Sequence, residues 1–242
     1  MKLCSILPID YIGLDKNRPY SMLLAHLSMK HPKYREYYKA NNNYKIMDNS
    51  IIEMGSAFSI EKLIHEAEEC DVQEIILPDA FEDGNTTFSL VTDSILYLKE
   101  HNLIGKFKLM AVCHGRHLDE FLHNFKRLSE IPEIDTIGIP KVTCKWIGTR
   151  AWLGFSDIIM NCNKEIHLLG CWSSLLEFIE MADTPFFNKI RSTDTCLPAL
   201  LSRDGITNIV EDRKGNTLNL EFDSIYIPTY LEIMKELEKY HL

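Results

Sequence analysis

The sequence has no apolar run of membrane-spanning length, no Cys-x-x-Cys pair and no glycine-rich phosphate loop. Each absence removes a class of function. Without a long apolar run there is no spanning helix to expect. The N-terminal stretch MKLCSILPIDYIGLDKNRP has no small-residue cleavage site, so the expected location is cytoplasmic. Without close cysteine pairs, neither a zinc nor a redox framework is expected from the seven scattered cysteines, Cys4, Cys70, Cys113, Cys144, Cys162, Cys171 and Cys196. Most stand in apolar runs and read as reduced, structural side chains. No G-x-G-x-x-G or P-loop follows a strand-like run, which argues against dinucleotide and NTP binding. A cationic surplus is missing too. The balance of 26 Lys+Arg against 35 Asp+Glu, a formal net charge of −9, argues against a cation-clad nucleic-acid binder and leaves room only for a local basic patch. Only 11 Gly and 9 Pro occur, so the chain is neither collagen-like nor of low complexity.

What is present suits a packed globular domain: 242 residues, 45% of them hydrophobic and 10% aromatic. One unit recurs along the chain, a short β-rich run followed by a stretch with helical spacing. The runs are LCSILPI (3–9), YKIMD (44–48), EIILPD (74–79), FKLMAVCHG (107–115), DTIGIPK (135–141), EIHLLGC (165–171) and IRSTD (190–194). Helical spacing covers 60–70, 88–101, 118–130, 149–162 and 174–183, with Ser59, Thr87, Thr149 and Ser173 at helix starts. Continuous apolar strands alternating with helices imply a parallel sheet covered on both faces. That many units predict an α/β fold of the (β/α)8 TIM-barrel type in one domain, 1–242. The length falls just below the ~250 residues typical of the fold, so the barrel should be compact or slightly irregular. The eighth strand is sought beyond residue 195, where 206–222 reads as a β-hairpin insertion and LEIMKELEKYHL as a closing amphipathic helix.

In such a barrel the C-terminal ends of the strands share one mouth. The residues there are Asp48, Asp79, His114, Lys141, Cys171 and Asp194, with Gly138 inside its strand end. A single Asp after a strand is as readily a helix N-cap as a catalytic group. Three together favour function, because carboxylates at close range push one another's pKa values apart and yield a proton donor and an anionic nucleophile from one residue type. Attack by one carboxylate on an anomeric carbon, with another handling protons, is the retaining glycosyl-transfer pattern. Metal-assisted hydrolysis through Asp48, Asp79 and His114 ranks lower, so no metal and no cofactor are expected.

The same residues carry a resemblance. Asp194-Thr195-Cys196-Leu197-Pro198, followed by Arg203-Asp204-Gly205, resembles the D-C-V-L-P … R-N-G pattern of the tRNA-guanine transglycosylase family. IMDNS, IILPDAFEDG, VCHG, IGIPK and IHLLGCWSS resemble further family segments in the same order, so the likeness runs over roughly 44–222. It is closer to the shorter phage and DNA-modifying relatives. The resemblance implies Asp194 as covalent nucleophile, Asp48 as general base and Asp79 as reader of the guanine edge. It also places His114, Gly115 and the backbone at Gly138 against the base, and Trp172, beside Cys171 at the next strand end, reads from its place as able to stack on a base. Three departures stand out: no cysteine follows Cys196 to build the family's zinc module, the apolar run Ala199-Leu200-Leu201 replaces a basic position, and His114 replaces Gln. They point away from tRNA and towards DNA.

The expected function is therefore a pentosyltransferase that exchanges a guanine-type base in nucleic acid for a 7-deazaguanine derivative of the queuosine type. Its partners would be DNA or tRNA and the free base, in a bacterial or phage-infected cell, with no membrane partner and a homodimer left open. The alternative is a non-catalytic or hydrolytic barrel for a modified purine nucleoside or nucleotide. The segment 29–45 places Lys30, Lys33, Arg35 and Lys39 among Tyr34, Tyr37 and Tyr38. It suits either strand binding with stacked tyrosines or a solvated helix packed by its aromatic side. His167, mid-strand, reads as structural, and Trp152 as barrel packing.

Overall fold

The computed structural model describes residues 1–171, 174–210 and 222–240. Eight parallel strands form one sheet: β1 (Lys2–Ser5), β2 (Tyr20–Leu24), β3 (Tyr44–Asp48), β4 (Glu74–Ile76), β5 (Lys108–Val112), β6 (Thr136–Pro140), β7 (Glu165–Leu169) and β8 (Ile190–Thr195). The order β1-β8-β7-β6-β5-β4-β3-β2 runs round until β1 and β2 lie side by side, a nearly closed (β/α)8 barrel. The helices are α1 (Ala25–Lys30), α2 (Pro32–Lys39), α3 (Ile51–Met54), α4 (Ile60–Glu69), α5 (Gly84–Glu100), α6 (Leu118–Ser129), α7 (Cys144–Ile147), α8 (Asp157–Met160), α9 (Leu176–Ala182), α10 (Leu197–Arg203) and α11 (Ile227–Glu238).

Strand alternation divides the core. Cys4, Met22, Ile46, Ile76, Met110 and Val112 pack together inside the barrel. Their neighbours Leu3, Leu23, Met47, Ile75, Leu109 and Ala111 face outward into the shell beneath the helices. The end of the barrel where the strands begin is closed by charge. There Arg191 reaches Glu74 at 2.9 Å and Glu165 at 2.8 Å, and lies over Tyr20 and Tyr44.

Seven of the strands fall on the predicted runs. The eighth is β2, not an element beyond residue 195, where α10 follows β8 directly. Its YSMLL passes straight into α1 without a Gly, Pro or Asn to punctuate the change. Helix α5 begins at Gly84, earlier than predicted, because Asp83 caps it by accepting the Thr86 N–H at 2.9 Å. Thr87 instead binds the loop after β4: its Oγ1 accepts from the Ala80 N–H at 3.0 Å and donates to the Ala80 carbonyl at 3.1 Å.

The single helix expected over 149–162 is broken into a 3-10 turn, Arg150–Phe155, and α8. This turn lies against Phe186, where a Cβ on Gly154 would stand 2.8 Å from the Phe186 Cβ. Trp152 is consequently exposed, 61%, rather than packed on the barrel. Thr149 does cap the turn. The hairpin expected at 206–222 falls mostly outside the described residues, as do Trp172 and Ser173. No helix among the described residues is long and apolar enough to cross a membrane.

Candidate active site

The strand ends surround a cavity of about 510 Å³, lined by Asp48, Asp79, His114, Cys171 and Asp194 between apolar walls that include Ile76, Val112 and Leu169. The sequence-predicted carboxylates are therefore brought together.

Asp194 stands near the end of β8, 7% exposed. Its Oδ1 accepts the Gly170 N–H at 3.1 Å and lies 3.1 Å from His167 Nε2. Among the described residues Oδ2 has no hydrogen-bond partner. Gly170 adopts φ +70°, a left-handed conformation that turns its N–H back towards the strand end. His167, on the adjacent strand, is fully buried, and its Nδ1 lies 2.7 Å from Ser192 Oγ.

Asp48 ends β3 and faces the cavity, and its Oδ1 accepts the Ser50 N–H at 2.6 Å. Desolvation within the mouth pushes its carboxyl well above the usual carboxylate range, and Glu53, Asp194 and Asp79 add to the rise against the opposing Ser50 hydrogen bond. Ser50 holds φ +60°, stabilised by His26, whose backbone N–H donates to Ser50 Oγ at 3.1 Å and whose Nδ1 lies 3.0 Å away.

Asp79 is 4% exposed. Asn49 Nδ2 donates to its Oδ1 at 2.7 Å and to the Leu77 carbonyl at 2.9 Å. His114 Nδ1 accepts the Glu82 N–H at 3.3 Å, which leaves the ring proton on Nε2 to donate to Asp79 Oδ2 at 2.5 Å. Both ring nitrogens are thus engaged. His114 orients Asp79, and the direct donation to a base expected of it has no free nitrogen to make it.

The remaining predicted residues divide. Cys171 lines the cavity, with its thiol donating to the Ser174 carbonyl at 2.7 Å and pushed up to about 12 by burial and then Glu177. Gly138 lies one layer deeper, on β6 between Val112 and His167, where a Cβ would meet Leu169 Cδ1 at 2.9 Å. Gly115 packs on α6, where a Cβ would stand 2.6 Å from the Phe121 backbone nitrogen. Neither glycine lines the cavity, so both are explained by packing. Lys141 turns away to Glu177 at 2.7 Å. In α2, Tyr34 and Tyr38 are buried and Tyr37 half-buried, while Arg35 pairs with Glu66 and Glu69. Lys30, Lys33 and Lys39 are exposed. The helix therefore packs by its aromatic side and has no tyrosine fully free to stack on a base.

One buried group that sequence reasoning passed over shapes the rim. Arg150 is 0% exposed and donates to the carbonyls of Ile139 at 2.9 Å, Leu169 at 2.9 Å and Gly170 at 2.7 Å, and to both Glu177 oxygens. Burial alone would raise the Glu177 carboxyl, but Arg150 and Lys141 overcome it and bring it down to about 2. The pair ties the ends of β6 and β7 and so holds the loop that presents Gly170 to Asp194. An Arg in a broken helix segment carries no sequence signal of this role. Asn49 and His167 do: each is a polar residue within a strand or at its end.

Among the described residues no three His, Cys, Asp or Glu side chains are grouped to hold a metal ion. No family model matches the chain, and no curated protein matches it.

Proposed function

We propose that this protein is a base-exchanging pentosyltransferase that replaces a guanine-type base in nucleic acid, DNA rather than tRNA, with a 7-deazaguanine derivative. The observation that carries the reading is Asp194: a buried carboxylate on a cavity wall, with one oxygen held from two sides and the other without a partner among the described residues. Such a carboxylate is preorganised as a nucleophile.

Asp194 Oδ2 attacks C1′ as the glycosidic C–N bond breaks, and the electron pair of that bond leaves with the base. The sugar is then held as a glycosyl ester until the incoming base displaces the carboxylate. Asp48, with its raised pKa, is protonated far enough up the pH scale to give a proton to the departing base. As the carboxylate left behind, it takes a proton from the incoming one. Asp79 has a further lone pair on each oxygen beyond those used by Asn49 and His114, which suits the N1–H and exocyclic amine of a guanine-like ring. A nucleotide within a duplex keeps its anomeric carbon out of reach, so the substrate is flipped out or single-stranded. The preference for DNA rests on the departures from the tRNA-enzyme pattern.

The test is intact mass after incubation with guanine-containing single-stranded DNA, tRNA or nucleosides together with a 7-deazaguanine base, followed by acid quench. A DNA-sized adduct is expected, and Asp194→Asn should abolish it. Release of free base without exchange would identify a hydrolase instead. Absence of both adduct and exchange with every substrate would leave a purine-binding barrel.

A further inference from the structure

The barrel axis holds a hydrogen-bonded row that links the charged floor to the proposed nucleophile. Arg191 Nε donates to Ser192 Oγ at 3.2 Å, Ser192 Oγ lies 2.7 Å from His167 Nδ1, and His167 Nε2 lies 3.1 Å from Asp194 Oδ1. Its direction follows from the ends. A guanidinium only donates and a carboxylate only accepts. Ser192 Oγ, receiving a proton from Arg191, has its own O–H to give, and His167 Nδ1 is the acceptor beside it. Asp194 only accepts, so Nε2 carries a ring proton towards it, and Nδ1 takes the Ser192 O–H.

The geometry points to His167 as a positioning residue, oriented by Ser192 and Arg191 so that its Nε2–H holds Asp194 Oδ1 and leaves Oδ2 as the attacking atom. The device is local to this chain's strands. His167 and Ser192 are register partners on β7 and β8, at a register shift between Ile166 and His167. The shift lets Arg191 reach the charged floor while its neighbour Ser192 meets the imidazole. His167 is fully buried and does not line the cavity, so it acts only through Asp194. As Asp194 departs from the glycosyl ester, its negative charge returns to a carboxylate already receiving the His167 and Gly170 protons. The assignment of Oδ2 as attacking atom rests on the proposed transglycosylase reading; the proton order does not.

Nitrogen-15 NMR of the free protein near neutral pH tests the proton order without any substrate. A bare Nδ1 and a protonated Nε2 on His167 are expected. An imidazolium, or a proton on Nδ1, overturns the proposal whatever the activity. The functional arm compares rates of adduct formation with affinity for the DNA substrate. His167→Leu should lower the rate by about 100-fold, the cost of a misplaced reacting group, with affinity unchanged. His167→Gln, whose amide donates from the same place, should recover part of it. Ser192→Ala should cost about fivefold, the rate equivalent of one hydrogen bond, and Ser192→Thr should restore it. Equal losses in rate and affinity across the set, or no rescue by the Gln and Thr variants, would reduce His167 to core packing and overturn the positioning role. If the expected tautomer is found and no substrate yields an adduct, the exchange reading fails and the proton order stands.

Discussion

Two carboxyls with raised pKa values have opposite standing in this molecule. Asp48 faces the cavity, where the proposed exchange uses its proton. Asp15 is 1% exposed, neither of its oxygens has a hydrogen-bond partner among the described residues, and burial pushes it up to about 8 against the pull of Arg18. A folded-state value above the unfolded one means that the protonated form fits the fold. Stability is then full below pH about 4, declines as pH rises, and is lowest once pH passes about 8. Asp15→Asn should flatten that slope and raise stability at pH 8–9 by roughly 1–3 kcal/mol, the cost of a buried unsatisfied polar group. Urea unfolding of both proteins at pH 5 and pH 8.5 measures it, and equal gains at the two pH values would contradict it. Asp48→Asn should remove the limb of the rate–pH profile that lies above the ordinary carboxylate range while leaving substrate affinity nearly intact. Single-turnover adduct formation across pH 5–9 checks this.

At the scale of elements, the site depends on connections more than on strands. The β6–β7 connection breaks into short turns, and the Arg150–Glu177 pair compensates by tying three carbonyls at the barrel rim. Glu177 has a folded-state value of about 2, so its contribution is complete above its unfolded value near 4.3 and is lost as pH falls through 2. Glu177→Gln strands a buried guanidinium and should cost about 3–5 kcal/mol at neutral pH, read as a fall in the denaturant midpoint at constant m-value. Gly115 fastens the β5–α6 connection by close approach. Gly115→Ala would press a methyl onto the Phe121 backbone, and a loss of about 1–3 kcal/mol is expected from overpacking. A neutral outcome would mean that α6 slides freely on the barrel.

Across the whole molecule the barrel is layered: ion pairs at the floor, an apolar band in the middle and carboxylates at the mouth. The floor closes the strand starts, so its integrity should set the global melting temperature. Glu74 is 0% exposed and receives both Arg191 and the Tyr44 hydroxyl, at 2.9 and 2.8 Å. Glu74→Gln leaves Arg191 with Glu165 as its one acidic partner among the described residues. A cost of about 3 kcal/mol, or a fall in Tm of roughly 6–12 °C for a chain of this size, is expected by calorimetry. Because Arg191 also begins the row to Asp194, the same variant should slow adduct formation.

By itself the sequence determined seven of the eight strand runs, the helices α4, α5, α6, α9 and α11, and the three carboxylates at strand ends. Those features are written in local periodicity and in single polar residues that interrupt apolar runs. YKIMD carries its pattern within its own length, and its final Asp is legible as the point where an apolar run stops. Only the tertiary structure decided what each polar group holds. Asn49 and His114 meet on Asp79 across separations of 30 and 35 residues, and His167 meets Asp194 across 27. YSMLL becomes a strand because a place remains beside β3 and next to β1, and Gly138 and Gly115 are glycines because neighbouring elements crowd them. A sequence pattern records which face of an element is buried. It does not record which residue of another element lies opposite, and in this barrel that pairing sets the raised carboxyl of Asp48 and leaves one Asp194 oxygen without a partner among the described residues.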